Sequence, residues 1–405
     1  MLKSEGRVFH KEIIKGYIDQ QANKYINISR QIHATPEIGN EEYFASEILS
    51  NLLSESGFKV THNIAGHETG FIAKKSSLKP GPTIAFLAEY DALPGLGHAC
   101  GHNIIGITSV AAGIALGLLL EEIGGTVVVY GTPAEEGGPN GSAKASYVKK
   151  GLFEGVDAAI LIHPGGQTKT TQPFLAVNPL DFHFYGRAAH AAAAPEEGIN
   201  ALDAVIQLFN GIGALRQQLP KDIKIHGIIP HGGDAPNIIP DYASARFYIR
   251  ASNWHKCEEV SERIIQVAKG AALATGAHVK INRFQNEVRD FVLNSTLDKV
   301  LSEELTALGE FVLPGKQEAA GSTDAGNVSH VVPTAHPYIK IGPDDLIAHT
   351  KEFRECAASE KGDKAIITGA KALAITGYRL LKDVALLKKV QEEFEKAKQK
   401  KDQLS

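Results

Sequence analysis

Side chains of the types that bind metal ions or move protons follow several apolar segments of this 405-residue sequence. Asp91, Cys100 and His102 come after TIAFLA, and Glu135 and Glu136 come after TVVVY. His163 follows AAILI, and His349 follows LIA. In an open α/β sheet, ligands bind beyond the carboxyl ends of the strands. We therefore expect these side chains to converge.

Each of these residues has an ordinary structural explanation when it is taken alone. A single histidine at a strand end usually makes a hydrogen bond, a free cysteine is usually a small buried hydrophobe, and adjacent glutamates are usually solvated. The spacing of Cys100 and His102 fits no closed zinc motif built from paired cysteines. As a set drawn from four segments, however, the residues indicate one site.

The chemistry that needs such a set is the hydrolysis of an unactivated amide. Two metal ions can acidify a shared water and polarise the scissile carbonyl. A free carboxylate must then take the proton of the water and return it to the leaving amine. Of Glu135 and Glu136, one can hold a metal while its neighbour points at the water. Thiolate and imidazole favour zinc, and carboxylate and imidazole also suit manganese, so both metals stay open.

The elements that position these residues have the pattern of an α/β layer. Nearly all-apolar strands alternating with helices indicate a mostly parallel sheet with helices on both faces. The apolar run 104–120 is at the short limit for a membrane span and directly follows the polar segment GHACGHN, so we predict a buried helix. The other predicted elements of this layer are helices at 16–35 and 41–57 and strands at 83–95, 126–138 and 158–166.

The pattern changes in the middle of the chain. Strands near 174–191, 223–230, 242–251 and 278–284, with helices at 199–218 and 255–275, have the β-α-β-β-α-β order of a ferredoxin-like domain. The α/β pattern then resumes, and the chain ends in a lysine- and glutamate-rich helix that we interpret as a solvated helix end. We predict a catalytic domain formed by residues 1–175 and 289–405, interrupted by an inserted α+β domain at 176–288.

Composition narrows the class of protein. A hydrophobic content of 43%, a charged content of 22% and a formal charge of −4 are those of an ordinary globular protein. Without a long basic block, there is no electrostatic reason to expect nucleic acid or an anionic membrane as a partner. Three cysteines are too few for a disulfide framework, and charges interrupt the first 20 residues, as they do not in a signal peptide. We therefore predict a cytoplasmic location.

Seven ordered motifs resemble the aminoacylase/carboxypeptidase family of dinuclear metallo-amidohydrolases. They are LAEYDALPGLGHACGHN, TPAEEGG, ILIHPG, FYGRAAHAAAAP, NIIPDYASARFYIRA, GSTDAGN and AHTKEF, and they extend over roughly residues 20–380. The similarity is greatest to the branch of hippurate, auxin-conjugate and aminobenzoyl-glutamate hydrolases. GHACGHN and GSTDAGN in particular resemble aminobenzoyl-glutamate hydrolases and their animal dipeptidase relatives.

The resemblance implies two divalent metal ions per subunit, Zn or Mn. It implies that Cys100 is the bridging ligand of the two ions, that His102 and His163 bind one ion, and that Glu136 and His349 bind the other. It also implies that Glu135 is the general base that activates the bridging water. Asp91 matches a carboxylate that orients the site from outside the ligand set.

The resemblance further implies that the inserted domain is a dimerisation lid, so the chain is expected to form a homodimer. His190 would reach the partner's site and polarise the substrate carbonyl, while Asn237 and Arg250 would contact the substrate. Arg250 is suited to clamp a free carboxylate. Plainer alternatives are a surface histidine at 190, a turn-capping Asn237 and a structural ion pair at Arg250.

Three hypotheses for function follow. The first is hydrolysis of an N-acyl amino acid, an aminobenzoyl-glutamate-like conjugate or a small dipeptide, at the amide next to a free carboxylate. The second is a non-catalytic binding protein on the same fold. The third is a hydrolase with Cys100 as nucleophile and His98 or His102 as its base. Asn103 stands where auxin-conjugate hydrolases usually carry aspartate, and Glu89 stands where they often do. These two differences leave the fine substrate specificity open.

Overall fold

The computed structural model describes residues 2–319 and 321–402. The chain divides into two compact units. The first comprises Met1–Pro173, Phe291–Ala319 and Asp324–Ser405, and the second comprises Phe174–Asp290 and Ala320–Thr323. The sequence-based boundaries at 175/176 and 288/289 lie two residues from the ends of these units, whereas residues 321–323, which were assigned to the catalytic segment 289–405, belong to the second unit. Residues 403–405, which close the predicted catalytic segment, lie outside the described residues.

A six-stranded mixed sheet is the centre of the first unit. Its order is β1–β2–β4–β3–β5–β11, with β1 at Lys59–Ile64, β2 at His67–Ser76, β3 at Thr83–Ala88, β4 at Thr126–Gly131, β5 at Ala158–Ile160 and β11 at Thr334–Ala335. The β1–β2 and β2–β4 pairs are antiparallel and the other three pairs are parallel. A separate parallel pair joins β6 (His163–Gly165) to β12 (Tyr338–Lys340). The predicted mixed, mostly parallel α/β class is thereby confirmed.

Two strands that lead to the site are shorter than predicted. The strands predicted at 83–95 and 126–138 end at Ala88 and Gly131. The residues that follow leave the sheet and hydrogen-bond to each other, with the backbone N–H of Glu136 donating to Asp91 Oδ2 at 2.9 Å. The predicted strand 158–166 is likewise two strands, β5 and β6, which belong to different sheets. The β1–β2 hairpin was not predicted, because β1 is largely exposed and lacks an apolar run.

Helices cover this sheet. They are α1 (Leu2–Gln20), α2 (Ala22–Ala34), α3 (Tyr43–Glu55), α4 (His102–Gly117), α5 (Leu120–Ile123), α6 (Ala143–Lys149), α9 (Ser295–Ala307), α10 (Ala325–Ser329), α11 (Lys351–Ala357), α12 (Glu360–Lys382) and α13 (Val384–Asp402). The helix predicted at 16–35 is interrupted at Gln21, between α1 and α2. Among the described residues, none of the helices combines the length and apolar character that crossing a membrane requires.

The central helix α4 carries His102 at its first residue and is buried at every position. It packs against α12, α2 and β3. Gly106 lets it approach the sheet, since a Cβ atom at this position would lie 2.8 Å from the carbonyl oxygen of Glu89. The apolar run that resembles a membrane span is therefore the core helix of a globular unit, as predicted.

We expect Gly106→Ala to lower the free energy of unfolding by about 1–3 kcal/mol, because the new methyl group would be forced against a backbone atom in a packed core. Urea unfolding followed by circular dichroism measures this. The matched control is Gly16→Ala on the exposed face of α1, where a Cβ would meet nothing within 4 Å. There alanine should stabilise the helix by about 0.5–1 kcal/mol. A stabilising Gly106→Ala would contradict the packing described.

The second unit has its own sheet and core. Its elements are β7 (Ala176–Tyr185), α7 (Ala201–Leu215), β8 (Lys224–His231), β9 (Tyr242–Ala251), α8 (Trp254–Thr275) and β10 (His278–Arg283). The sheet is antiparallel in the order β10–β7–β9–β8. Helices α7 and α8 pack against β7 and β9 around Phe182, Phe184 and Phe247. This is the β-α-β-β-α-β ferredoxin-like arrangement predicted for the insertion.

Candidate active site

A tight turn delivers Cys100 and His102 to the site. Gly101, between them, has a φ of +76°, and a Cβ atom there would lie 2.4 Å from Cγ of Pro164. Glycine adopts this left-handed conformation without steric cost, and it leaves room for the proline. Because of this turn, the thiol of Cys100, the imidazole of His102 and that of His163 offer ligand atoms within 4.8 Å of one another.

His102 is held in the manner of a metal ligand. It is fully buried, and its Nδ1 donates to Asp91 Oδ1 at 2.9 Å. Its Nε2 is buried and makes no hydrogen bond. Burial alone would raise the pKa of Asp91, but His102 brings it below its ordinary value. A carboxylate that holds one ring nitrogen, while the other faces the neighbouring ligand residues, is the usual arrangement of a ligating imidazole.

His163 lies on β6 with its Nε2 directed at Cys100. Its Nδ1 donates to the carbonyl oxygen of Pro164 at 2.7 Å, and its Nε2 is 3.4 Å from Sγ of Cys100. Burial lowers the pKa of His163 to about 4, so its imidazole is neutral at neutral pH. The neutral ring is the form that binds metal ions.

Glu136 and His349 form a second set of ligand atoms around Cys100. His349 Nε2 lies 3.1 Å from Glu136 Oε1. His349 has a φ of +65° and donates its backbone N–H to the carbonyl of Ala99 at 2.9 Å. A left-handed backbone conformation at a non-glycine residue raises the conformational free energy by about 1–3 kcal/mol, and such residues cluster at functional sites. This contact ties His349 to the turn that carries Cys100.

The structure therefore brings the five predicted ligands together. Their ligand atoms form two groups with every atom within 4.8 Å of the others: Cys100, His102 and His163, and Cys100, Glu136 and His349. Cys100 belongs to both groups, which is the position of a bridging ligand. The donor set of thiol, imidazole and carboxylate fits a pair of divalent ions such as Zn or Mn.

Glu135 lies beside these groups without belonging to either. Its Oε2 is 3.9 Å from Nε2 of His102, and it forms a further group with His102 and Glu136. Burial and the neighbouring charges of Glu89 and Glu136 raise its pKa well above the ordinary value. The loop before it is fixed by Glu42, whose Oε1 accepts the N–H of Ala134 at 2.9 Å.

One buried feature was not predicted from the sequence. Glu89, Glu135 and Asp324 offer oxygen atoms within 4.8 Å of one another, and the ammonium group of Lys144 lies against two of these carboxylates. Glu89 and the motif that contains Asp324 were noticed in the sequence, but Lys144 was not. A lysine among the small residues of GSAKAS, shortly after the glutamate pair, was the available signal.

Asp91→Asn is expected to weaken metal binding about 10–100-fold, the usual effect of losing a partner that orients a ligating histidine. The amide keeps the shape but lacks the negative charge that holds His102. Competition with a chromophoric chelator measures the affinity. Asp157→Asn is the control, because Asp157 accepts the N–H of Thr83 at the beginning of β3, away from the ligands. An unchanged affinity in Asp91→Asn would contradict the orienting role.

In the second unit, the structure brings His190 and Asn237 together. Residue 190 forms a β-bridge with Ile238, and the N–H of Ala191 donates to the carbonyl of Asn237 at 3.0 Å. Nδ1 of His190 accepts the N–H groups of Ala192 and of its successor Ala193, both at 3.2 Å. The ring proton is then on Nε2, so the exposed side chain is a hydrogen-bond donor.

Arg250 lies on β9 and has only neutral partners among the described residues. Its Nη1 donates to Ser322 Oγ at 2.9 Å, its Nε is 3.2 Å from His226 Nε2, and its guanidinium is 5.6 Å from the ring centre of Tyr248. Burial lowers its pKa. The structural ion pair that we considered as an alternative is not formed with any described residue.

An α/β unit whose strand ends bring imidazoles, carboxylates and a shared thiol into contact has the architecture of a dinuclear metallohydrolase. Comparisons with known proteins give the family. Residues 180–275, within the ferredoxin-like unit, match the model of the peptidase dimerisation domain. This chain belongs to the M20 peptidase family and is a metal-dependent hydrolase of amide bonds.

The chain is similar along nearly its whole length to characterised relatives. It is 37% identical to the Xaa-Arg dipeptidase of Mus musculus, over 96% of this chain and 92% of that protein. It is 31% identical to one of the subunits of the p-aminobenzoyl-glutamate hydrolase of Escherichia coli, over 93% of each chain. A dinuclear metal-binding M20 peptidase from Bacillus subtilis shares the fold, with a TM-score of 0.61 and 21% identity over 88% of this chain and 98% of that one.

Proposed function

We propose that this chain is a dipeptidase that hydrolyses the amide next to a free carboxylate, with two divalent ions in the Cys100 groups and Glu135 as general base. The observation that carries the proposal is the convergence of four ligand residues on the thiol of Cys100, with a further carboxylate beside them that belongs to neither Cys100 group. A binding protein on the same fold would have no need of this extra carboxylate.

The residues fit the ions that the proposal requires. The buried Nε2 of His102 has no hydrogen-bond partner, and His163 presents a neutral imidazole towards the thiol. When bound, two divalent ions would lower the pKa of a water and polarise the scissile carbonyl. Cys100 would be shared, His102 and His163 would hold one ion, and Glu136 and His349 the other. Zinc and manganese both suit these donors.

Glu135 moves the proton in this proposal. Its carboxylate takes a proton from the attacking water and delivers it to the nitrogen of the leaving amine. Glu135 is suited to this role because it is adjacent to His102 and Glu136 but stands outside the two Cys100 groups. Asp91 keeps His102 oriented throughout.

The second unit would bind and orient the substrate. His190 offers an Nε2–H donor for the substrate carbonyl, and the neighbouring Asn237 a second polar group. Arg250 would pair with the free carboxylate, because a guanidinium binds a carboxylate through two parallel hydrogen bonds. We further propose a homodimer in which His190 serves the partner's site. The match to the peptidase dimerisation domain supports the formation of a dimer.

Dipeptides with a basic carboxyl-terminal residue are the substrates we propose first. The support is the 37% identity to the mouse Xaa-Arg dipeptidase over 96% of this chain. The second candidate is an aminobenzoyl-glutamate conjugate, supported by 31% identity to the Escherichia coli hydrolase. We also propose a cytoplasmic location, where its three free cysteines would stay reduced.

Amine release from a substrate panel tests the proposal. EDTA-treated protein is assayed with and without added Mn²⁺ or Zn²⁺ on an Xaa-Arg dipeptide, a β-alanyl dipeptide, aminobenzoyl-glutamate, hippurate and an N-acetyl amino acid. We expect metal-restored cleavage that is fastest with the Xaa-Arg dipeptide. Faster cleavage of aminobenzoyl-glutamate would favour the second candidate. Activity that survives complete removal of metal would refute the mechanism.

A further inference from the structure

The unpredicted cluster in the first unit consists of Glu89, Lys144 and Asp324, and we call it the lysine cluster. The ammonium of Lys144 is 2.9 Å from Glu89 Oε1 and 2.5 Å from Asp324 Oδ1. All three side chains are at most 1% exposed. The second oxygen of Asp324 accepts the backbone N–H of Lys144 at 3.1 Å, so this residue holds the lysine at two points.

The lysine cluster adjoins the proposed metal ligands. Glu89 Oε2 is 3.6 Å from Nε2 of His102. Glu89 and Asp324 also converge with Glu135, with one oxygen of each within 4.8 Å of the others. Three carboxylate oxygens at this spacing suit a hard divalent cation. In this protein the ammonium of Lys144 binds two of the three.

The surroundings of Lys144 favour its charged form. Burial alone would lower its pKa, but the charges of Asp324 and Glu89 raise it above the ordinary value. Removing the cation from a buried carboxylate strongly destabilises the folded protein, because the carboxylate is left without a partner. The pocket therefore requires a positive charge, and the chain supplies one covalently.

The partners of the acidic groups at this centre show which carboxylates the Lys144 ammonium occupies. Six of the groups here that can carry a negative charge are Cys100, Glu89, Asp91, Glu135, Glu136 and Asp324. Cys100 and Glu136 lie in the metal groups, Asp91 is bonded to His102, and Lys144 contacts Glu89 and Asp324. Of these six groups, Glu135 alone is in neither Cys100 group and in direct contact with neither Lys144 nor the Nδ1 atom of His102.

We propose that the Lys144 ammonium is the third cation of this centre: it fills a three-carboxylate site, limits the divalent ions to two, and leaves Glu135 as the free base. This inference rests on the two-ion site of the proposed function. Lys144 touches no reacting atom in this scheme and is a positioning residue.

The test is the number of Mn²⁺ ions bound per folded chain. Metal-free wild type and Lys144→Met are loaded with Mn²⁺, desalted and analysed by elemental mass spectrometry, and the thermal midpoint is followed during titration. We expect two ions for wild type and three for Lys144→Met, with a midpoint that continues to rise beyond the second equivalent only in the variant. The double variant Lys144→Met/Asp324→Asn removes one carboxylate of the vacated pocket and should bind two ions.

The outcomes separate this inference from the proposed function. Fewer than two bound ions in wild type would contradict the two-ion site of the proposed function itself. Two ions in both wild type and a folded Lys144→Met would overturn the third-cation role alone. If Lys144→Met does not fold without metal, recovery of folded protein by Mn²⁺ beyond two equivalents supports the inference. Failure to recover it at any Mn²⁺ concentration, while the double variant folds, overturns it.

Discussion

Hydrolysis by a Glu135→Gln variant is expected to be about 10²–10⁴-fold slower than by wild type, the usual contribution of a positioned general base. Glutamine has nearly the shape of glutamate but cannot accept the proton of the attacking water. Because Glu135 belongs to neither Cys100 group, the metal content should stay at two ions. The measurements are kcat and KM on the preferred substrate, with metal analysis of the same sample.

The control for this variant is Glu121→Gln on the exposed face of α5, which should leave kcat within twofold of wild type. A substrate analogue should bind Glu135→Gln with nearly unchanged affinity, since the loss lies in proton transfer. Wild-type kcat in Glu135→Gln would exclude Glu135 as the base. A low kcat that accompanies loss of metal would instead make Glu135 a ligand.

Cys100→Ala is expected to abolish activity at micromolar metal concentrations and to weaken metal binding by more than about 100-fold, since losing even an outer partner of a ligand costs 10–100-fold. The alanine removes the donor that both metal groups share. Isothermal titration with Mn²⁺ and an assay at rising Mn²⁺ concentrations measure the two effects. Cys356→Ala, a half-buried free cysteine on α11, is the matched control and should bind two ions normally.

The same variant distinguishes a metal mechanism from a cysteine nucleophile. Burial and the nearby charge of Glu136 raise the pKa of the Cys100 thiol well above its ordinary value, so little free thiolate is present without metal. A catalytic cysteine needs the opposite environment. We expect iodoacetamide to leave the metal-loaded enzyme active. Inactivation of loaded enzyme, with activity that survives EDTA, would support the nucleophile instead.

The chemistry of the candidate site was largely predictable from the sequence. Metal-binding side chains follow apolar strands in the primary structure, and strand ends of a parallel sheet meet at one edge. The β-α-β-β-α-β order of the insertion likewise follows from local periodicity, which reports directly which face of each element is buried. These inferences need only neighbouring residues, so a single sequence is sufficient.

Element ends were less predictable. The strands before Asp91 and Glu136 were predicted too long, because their predicted ends were placed at the next glycines, whereas the sheet hydrogen bonds stop at Ala88 and Gly131. The break between α1 and α2 and the exposed β1–β2 hairpin were missed for a related reason. In each case packing against distant segments, rather than the local pattern, sets where the element begins or ends.

By itself, the sequence determined the class of fold, the types of candidate ligand and their order along the chain. Only the tertiary structure decided that His163 directs its Nε2 at Cys100, and that Lys144 lies between Glu89 and Asp324, the latter 180 positions away along the chain. Periodicity and motifs describe short segments, whereas the pairing of buried charges depends on which segments pack together. Burial makes such pairing obligatory, because an unpaired charge in the interior costs more than the fold can offset.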